Sequence, residues 1–435
     1  MAVLARRVAV VAHGDPVEVL MIGAGQRAHA YASYADLDPR AMDVVAVADP
    51  DGEARERLAT RYAIPADARF TSVEAAIEAL EAGAFRANAA INTTPDREHV
   101  ATTLVLLAAG LDVLLEKPVG TSRDELETLV GAVARYPDAV TRVCHVLRYT
   151  SFYAQLRAIV GSGLVGSLVA ATHTERISYW HFAHSFVRGN WRRADTSSPL
   201  MLAKCCHDLD ILAWTLGVTF TEAIGAGARR FFDGKSAPPG STARCGPDCA
   251  VADTCIYNAE TIYGIEGDVF PADVLERGGT RASRLAALVD SPYGRCVYHC
   301  DNDVPESETA LFRTDTDLVI PLHISGHADR DCRITRIDGT EGSIEARFFA
   351  SGTRSSIDIS FPDGREETWR VEAEAASSGH GGGDMGLVAE FIDAVRERDT
   401  LGGATIGSAL PSHYAALAAE ESRSTGTWVA LPGPG

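Results

Sequence analysis

Among 40 Lys and Arg residues only three are Lys, at 117, 204 and 235, so arginine is the default cation and each lysine invites a chemical reason. Lys117 follows the apolar run 111–115 in Glu116-Lys117-Pro118, and Lys204 stands three residues before His207. An ammonium can hold a hydroxyl and stabilise a developing alkoxide, and an imidazole of ordinary pKa, about 6.5, can take the hydroxyl proton. A second pattern, Gly23-x-Gly25-x-x-Ala28, lies between a β-favouring run at 17–22 and a helix-compatible stretch. Gly23 allows a tight turn, and Gly25 lets the backbone approach a pyrophosphate at the positive end of the helix. Asp49, 21 residues past Ala28, is placed to accept from a ribose diol. A carboxylate there repels a 2′-phosphate, which favours NAD over NADP, while Arg55 and Arg57 nearby leave NADP open.

Five of the nine cysteines gather at Cys245-x3-Cys249-x5-Cys255 and Cys296-x3-Cys300. Thiolates so spaced suit a tetrahedral, structural Zn in a loop-rich region, with Cys245, Cys249, Cys255 and Cys300 as ligands and His299 as a substitute. An iron–sulfur cluster and plain buried thiols are the alternatives. Cys205 and Cys206 are expected to pack.

The elements that would position these groups alternate. Strands are expected at 17–22, 43–48, 87–92, 111–115 and 140–147, with helices between them, one opened by the capping box Thr71-Ser-Val-Glu74 and running to Leu80 and one capped by Ser122-Arg-Asp-Glu125. That alternation predicts an α/β, doubly wound parallel sheet over 17–147, after a tail of 16 residues. In such a sheet Asn92-Thr93-Thr94-Pro95 and Glu116-Lys117-Pro118 fall at the carboxyl edge, where ligands bind. From 148 to 383 the pattern predicts an α+β domain with an open, mostly antiparallel sheet: strands at 167–177, 308–326, 332–338 and 343–370, a helix at 201–216, and a Cys-rich insertion at 231–310. A hinge at 379–383 leads to a helix at 385–398 and a tail.

These motifs together resemble the glucose-fructose oxidoreductase, inositol dehydrogenase and rhizopine-catabolism (Gfo/Idh/MocA) family: GAGQRA, the Thr94-to-His99 stretch, LLEKPVG and LAKCCHDLDILAWTLG. The resemblance runs from about 17 to 217 and more loosely from 311 to 398. It implies a Rossmann domain, a second domain carrying the substrate pocket and often an oligomer interface, and hydride transfer between NAD or NADP and a secondary alcohol of sugars or cyclitols. It implies that Lys117 and His207 are catalytic and that Asp210 meets the substrate. It also implies that Gln26, Arg27, Thr93, Thr94, Pro95, His99 and Glu116 lie beside the cofactor, with Gly23, Gly25, Asp49 and Lys117. The sequence departs from the family's Asp-x-x-x-His helix at Ala203, and the neighbouring Lys204 brings a cation to the same expected helical face as His207. Arg148 and Tyr149 are expected at the pocket edge. The segment 179–193, with His181, His184, Arg188 and Trp191, reads equally as a substrate loop or as a core segment.

A formal net charge of −19 disfavours nucleic acid and anionic membrane as partners. No stretch reaches the roughly 18 apolar residues of a membrane span. A cytoplasmic homo-oligomer acting on a small polyol or glycoside is expected. Two other readings stay open: a glycoside-cleaving enzyme that oxidises a ring carbon transiently, and a non-catalytic NAD sensor.

Overall fold

The computed structural model describes residues 14–350, 355–371 and 380–433. Six short strands form a parallel sheet: β1 (Val17–Ile22), β2 (Met42–Ala48), β3 (Arg69–Phe70), β4 (Ala89–Asn92), β5 (Asp112–Leu115) and β6 (Thr141–Val143). Their order, β3-β2-β1-β4-β5-β6, is that of a Rossmann sheet with its switch point between β1 and β4. β4, β5 and β6 are buried at every position, as strands covered on both faces must be. Helix Arg123–Arg135 opens where expected, with Ser122 Oγ accepting from Glu125 N–H, whereas helix Val73–Glu81 is capped one residue later than the expected Thr71, by Ser72 Oγ accepting from Ala75 N–H.

The second sheet has nine strands: β7 (Leu168–Ser178), β8 (Phe220–Ala228), β9 (Ser307–Thr314), β10 (Val319–Ala328), β11 (Cys332–Gly339), β12 (Ser343–Phe348), β13 (Ser355–Ser360), β14 (Glu366–Val371) and β15 (Val429–Ala430). β7 and β10 pair in parallel and all other neighbours are antiparallel. The run expected as one strand over 308–326 is two, β9 and β10, reversed around Asp317 at φ +63°. The helix expected over 201–216 is also two, Leu200–Ala203 and Cys206–Leu216, broken at Lys204.

Among the elements without a counterpart in the sequence reading are β8 and the helix Ile406–Thr425. They pack on each other through small residues: a Cβ at Gly225 would lie 2.6 Å from the carbonyl oxygen of Ala419. Ala415, Ala416, Ala418 and Ala419 are all fully buried there. The same helix sends Ile406 and Ala409 into the core of the first domain, beside Leu387, Phe391 and Val395 of helix Gly383–Glu397. Gly379 and the apolar run before His13 lie outside the described residues.

Between β8 and β9 the insertion has a small core of its own at Ala259, Tyr263 and Leu288, and its Phe232, Tyr257, Val297 and Tyr298 join the core of the second domain. It touches the first domain where Arg277 donates to Gln26 Oε1 at 2.8 Å. Among the described residues no helix is long and apolar enough to cross a membrane.

Candidate active site

At the β1 end the chain turns at Gly23 (φ +87°), where a Cβ would stand 2.7 Å from Thr93 Oγ1 and 2.8 Å from the Thr93 carbonyl oxygen. Only glycine tolerates both that torsion and that approach. Gly25 is exposed with nothing above its Cα, so a ligand can come down onto the backbone there. Asp49 ends β2 and reaches back, accepting from Ala24 N–H at 2.6 Å and Asp51 N–H at 2.7 Å. The acid thus ties the glycine turn to the second strand and stays partly exposed, an arrangement that fits an adenosine ribose. Arg55 bonds the Asp49 carbonyl oxygen at 2.6 Å rather than its carboxylate.

Lys117 is aimed by its own turn. The Lys117–Pro118 peptide is cis, His99 Nδ1 lies 2.6 Å from the Pro118 carbonyl oxygen, and Val119 N–H donates to His413 Nε2 at 3.0 Å. His99 Nε2 is 2.7 Å from the Thr94 carbonyl oxygen, so one ring joins the β4 and β5 loops. Thr94 Oγ1 donates to Asn92 Oδ1 and Thr93 Oγ1 to the Ile22 carbonyl oxygen, which shapes the loop rather than presenting either hydroxyl to a ligand. Beyond it, Asp96 accepts from Trp191 Nε1 at 3.0 Å and Ser198 Oγ at 2.6 Å, clamping the second domain to the β4 loop.

The Lys117 ammonium crosses to the second domain. It donates to the Ala203 carbonyl oxygen at 3.1 Å and lies 5.7 Å from the centre of the Trp191 ring. His207 follows one turn later, buried, its Nδ1 without a hydrogen-bond partner among the described residues. Burial, reinforced by the charge of Lys117, pushes its pKa well below the usual histidine range, so the ring is neutral and able to accept a proton. His145, at the end of β6, stands 5.7 Å ring to ring from His207, and His380 stands 6.0 Å away on the other side. His145, His380 and His413 were not singled out from sequence. They come from three distant stretches, and only the fold makes them a row.

Several residues expected at the ligand also make contacts within the protein. Glu116 accepts from Arg27 Nε (2.6 Å), Tyr31 OH (2.7 Å) and the Lys117 backbone N–H (2.7 Å). Burial alone would raise its pKa, but Arg27 and Lys117 outweigh that and keep it ionised. Arg27 also pairs with buried Asp384 at 2.5 Å, so this cluster locks helix Gly383–Glu397 to the glycine-loop helix. Asp210 is taken by Arg148 Nε at 2.8 Å, and Tyr149 turns away to Glu390 at 3.2 Å. Lys204, at the helix break, pairs with Glu175 at 3.2 Å, so the expected shared helical face with His207 is not formed. Nearby, buried Asp208 accepts from Arg333 at 2.7 Å and lies 3.0 Å from His173. The segment 179–193 follows its core reading for most of its length: His184 bonds Tyr263 OH at 2.8 Å and stacks on Tyr293, and Arg188 is fully buried. His181 meets Asp331 at 3.0 Å. Only Trp191 of this segment reaches Lys117.

The four cysteines expected as metal ligands, Cys245, Cys249, Cys255 and Cys300, are not gathered in one place. Cys245, Cys249, Cys255 and Cys296 border one cavity, whereas Cys300 points back to the Cys296 carbonyl oxygen. Among the described residues no three His, Cys, Asp or Glu side chains stand in ligating positions.

The oxidoreductase family with an NAD-binding Rossmann fold matches residues 17–143. That match places the first domain among the Gfo/Idh/MocA oxidoreductases. YteT, an oxidoreductase of Bacillus subtilis, is 26% identical over 326 residues, covering 72% of this chain and 74% of its own. The inositol 2-dehydrogenase of Acidothermus cellulolyticus is 26% identical over 53% of this chain and 60% of its own length. The solved scyllo-inositol dehydrogenase of Lactobacillus casei with bound NAD(H) and scyllo-inositol superposes with a TM-score of 0.65 at 14% identity, over 96% of this chain and 99% of that one. At that identity the last likeness bears on the fold alone.

Proposed function

We propose that the protein is an NAD-dependent dehydrogenase of a secondary alcohol on a cyclitol, a sugar or a glycoside. The observation that carries this reading is the meeting of Lys117 and His207 across the two domains, close enough that the ammonium's charge acts on the imidazole. The glycine turn and Asp49 would hold NAD, which when bound supplies the hydride acceptor. Lys117 has one N–H on the Ala203 carbonyl oxygen and two more donors for a substrate hydroxyl. The neutral His207 takes that hydroxyl's proton as the C–H bond breaks, and Lys117 stabilises the oxygen's developing charge. The Arg148–Asp210 pair buttresses His145 beneath them, with His145 Nε2 at 3.6 Å from Asp210. The inositol dehydrogenases among the relatives support a cyclitol as the first substrate to try.

A panel of inositols, sugars and glycosides, scored for NADH fluorescence and for released sugar, tests this. Net NADH on one of them is expected. Lys117→Ala should lower kcat by about 100-fold or more, the scale of a lost acid–base group. An unchanged rate in that variant, or failure of the wild-type chain to bind NAD, overturns the reading, and sugar release without net NADH replaces it with redox-assisted cleavage.

A further inference from the structure

The insertion of residues 229–306 has a small core of its own, Ala259, Tyr263 and Leu288, and joins the second domain's core through Phe232, Tyr257, Val297 and Tyr298. Cys245 lies against the first cluster, and Cys255 and Cys296 lie at the second. Arg244 and Arg295 form an isolated antiparallel bridge, with Cys245 N–H donating to the Gly294 carbonyl oxygen and Cys296 N–H to that of Ala243. Side chains alternate across such a ribbon, so Cys245 and Cys296 emerge on one face. That face borders a small cavity whose other walls carry Cys249 and Cys255, with room for an ion rather than a cube of irons and sulfides.

Two further observations concern these thiols. The backbone N–H groups of Val251, Tyr257 and Tyr298 face the Sγ atoms of Cys249, Cys255 and Cys296, each from two residues further along the chain. N–H groups so placed have the geometry of the outer-shell donors that surround metal-bound sulfur. The fully buried guanidinium of Arg188 donates to Cys245 Sγ at 3.7 Å, and its Nη1 has no hydrogen-bond partner among the described residues. A buried cation beside four neutral thiols is poorly compensated. Beside a metal tetrathiolate of charge −2 it is matched.

We propose that Cys245, Cys249, Cys255 and Cys296 bind one structural Zn²⁺ that pins the insertion, with Arg188 as counter-ion. The side chains turn inward from positions they already share around the cavity, four S–H protons pass to solvent, and four Zn–S bonds form with no change of oxidation state. Cys300 takes no part.

The test is elemental analysis of the full-length protein purified from zinc-supplemented culture, with cobalt(II) substitution of the same sample. About one zinc per chain is expected, and cobalt should give the strong visible d–d bands and sulfur-to-metal charge transfer of a tetrahedral tetrathiolate. Cys296→Ser should lose most of the zinc and Cys300→Ser should keep it. Absence of zinc together with absence of a cobalt–thiolate spectrum overturns the proposal, as does iron with acid-labile sulfide, or zinc lost from Cys300→Ser and kept by Cys296→Ser. The wild-type measurements stand even where a variant does not fold, and none of them depends on NAD binding or turnover.

Discussion

His207 and Lys117 are coupled through charge, and that coupling is measurable. A base must be neutral to accept a proton, and a depressed pKa keeps it neutral to lower pH. For alcohol oxidation the acid limb of kcat/KM should therefore lie below pH ~6.5, the ordinary histidine value. Replacing Lys117 by Met removes the largest charge acting on the ring, so the limb of the residual activity should move upward toward that value. A limb that stays in place would detach His207 from the proton transfer. Lys204 makes the contrasting case. Its salt bridge to Glu175, a side chain 2% exposed, predicts that Lys204→Met costs about 1–3 kcal/mol of stability, read as a lower Tm, by leaving the buried carboxylate with Arg333 as its remaining cation. A fall in kcat at unchanged Tm would return Lys204 to the catalytic set. Both lysines drew notice because the chain uses so few, but type and spacing along the chain could not tell which faces the ligand. The break at Lys204, unmarked by Gly or Pro, decides it.

At the scale of elements, the cofactor half was legible because its signals are local: an apolar strand, a glycine turn, a serine cap. β8 and the helix Ile406–Thr425 were not, because their contact is made by Gly and Ala, whose close approach replaces the large apolar side chains that give a pattern its period. One charged pair marks that contact. Glu308 on β9 is buried with neither carboxyl oxygen hydrogen-bonded among the described residues, and burial followed by the nearness of Glu420 pushes its pKa up to about 8. A carboxyl whose folded pKa is raised lends its full support below the unfolded value, about 4.5, and loses it as pH rises through about 8. Glu308→Gln should thus match wild type in Tm near pH 5 and exceed it near pH 9, by roughly 1–3 kcal/mol. Equal Tm values at both ends would mean the charge finds compensation in solution.

Across the whole molecule, Asp96 with Trp191 and Ser198 ties the two domains together, while Arg27 with Glu116 and Asp384 ties the late helix Gly383–Glu397 onto the first. Asp384 is fully buried and its carboxyl is held far below the usual range, burial being outweighed by Arg27 and His380. Asp384→Ala leaves Arg27 without its strongest partner and should cost about 3 kcal/mol. Because Arg27 also bonds Glu116, and Glu116 holds the Lys117 backbone, kcat should fall along with Tm. A stability loss with kcat intact would confine the cluster to scaffolding.

The helix Ile406–Thr425 has a consequence for how the chain is made. It contributes walls to both hydrophobic interiors, so a ribosome that has emitted the entire first sheet has not yet emitted what seals it. Vectorial, domain-by-domain maturation is closed to this architecture. The nascent polypeptide must wait, partly open, for its final turns, and a premature stop before residue 406 would release two unsealed halves rather than one finished and one missing.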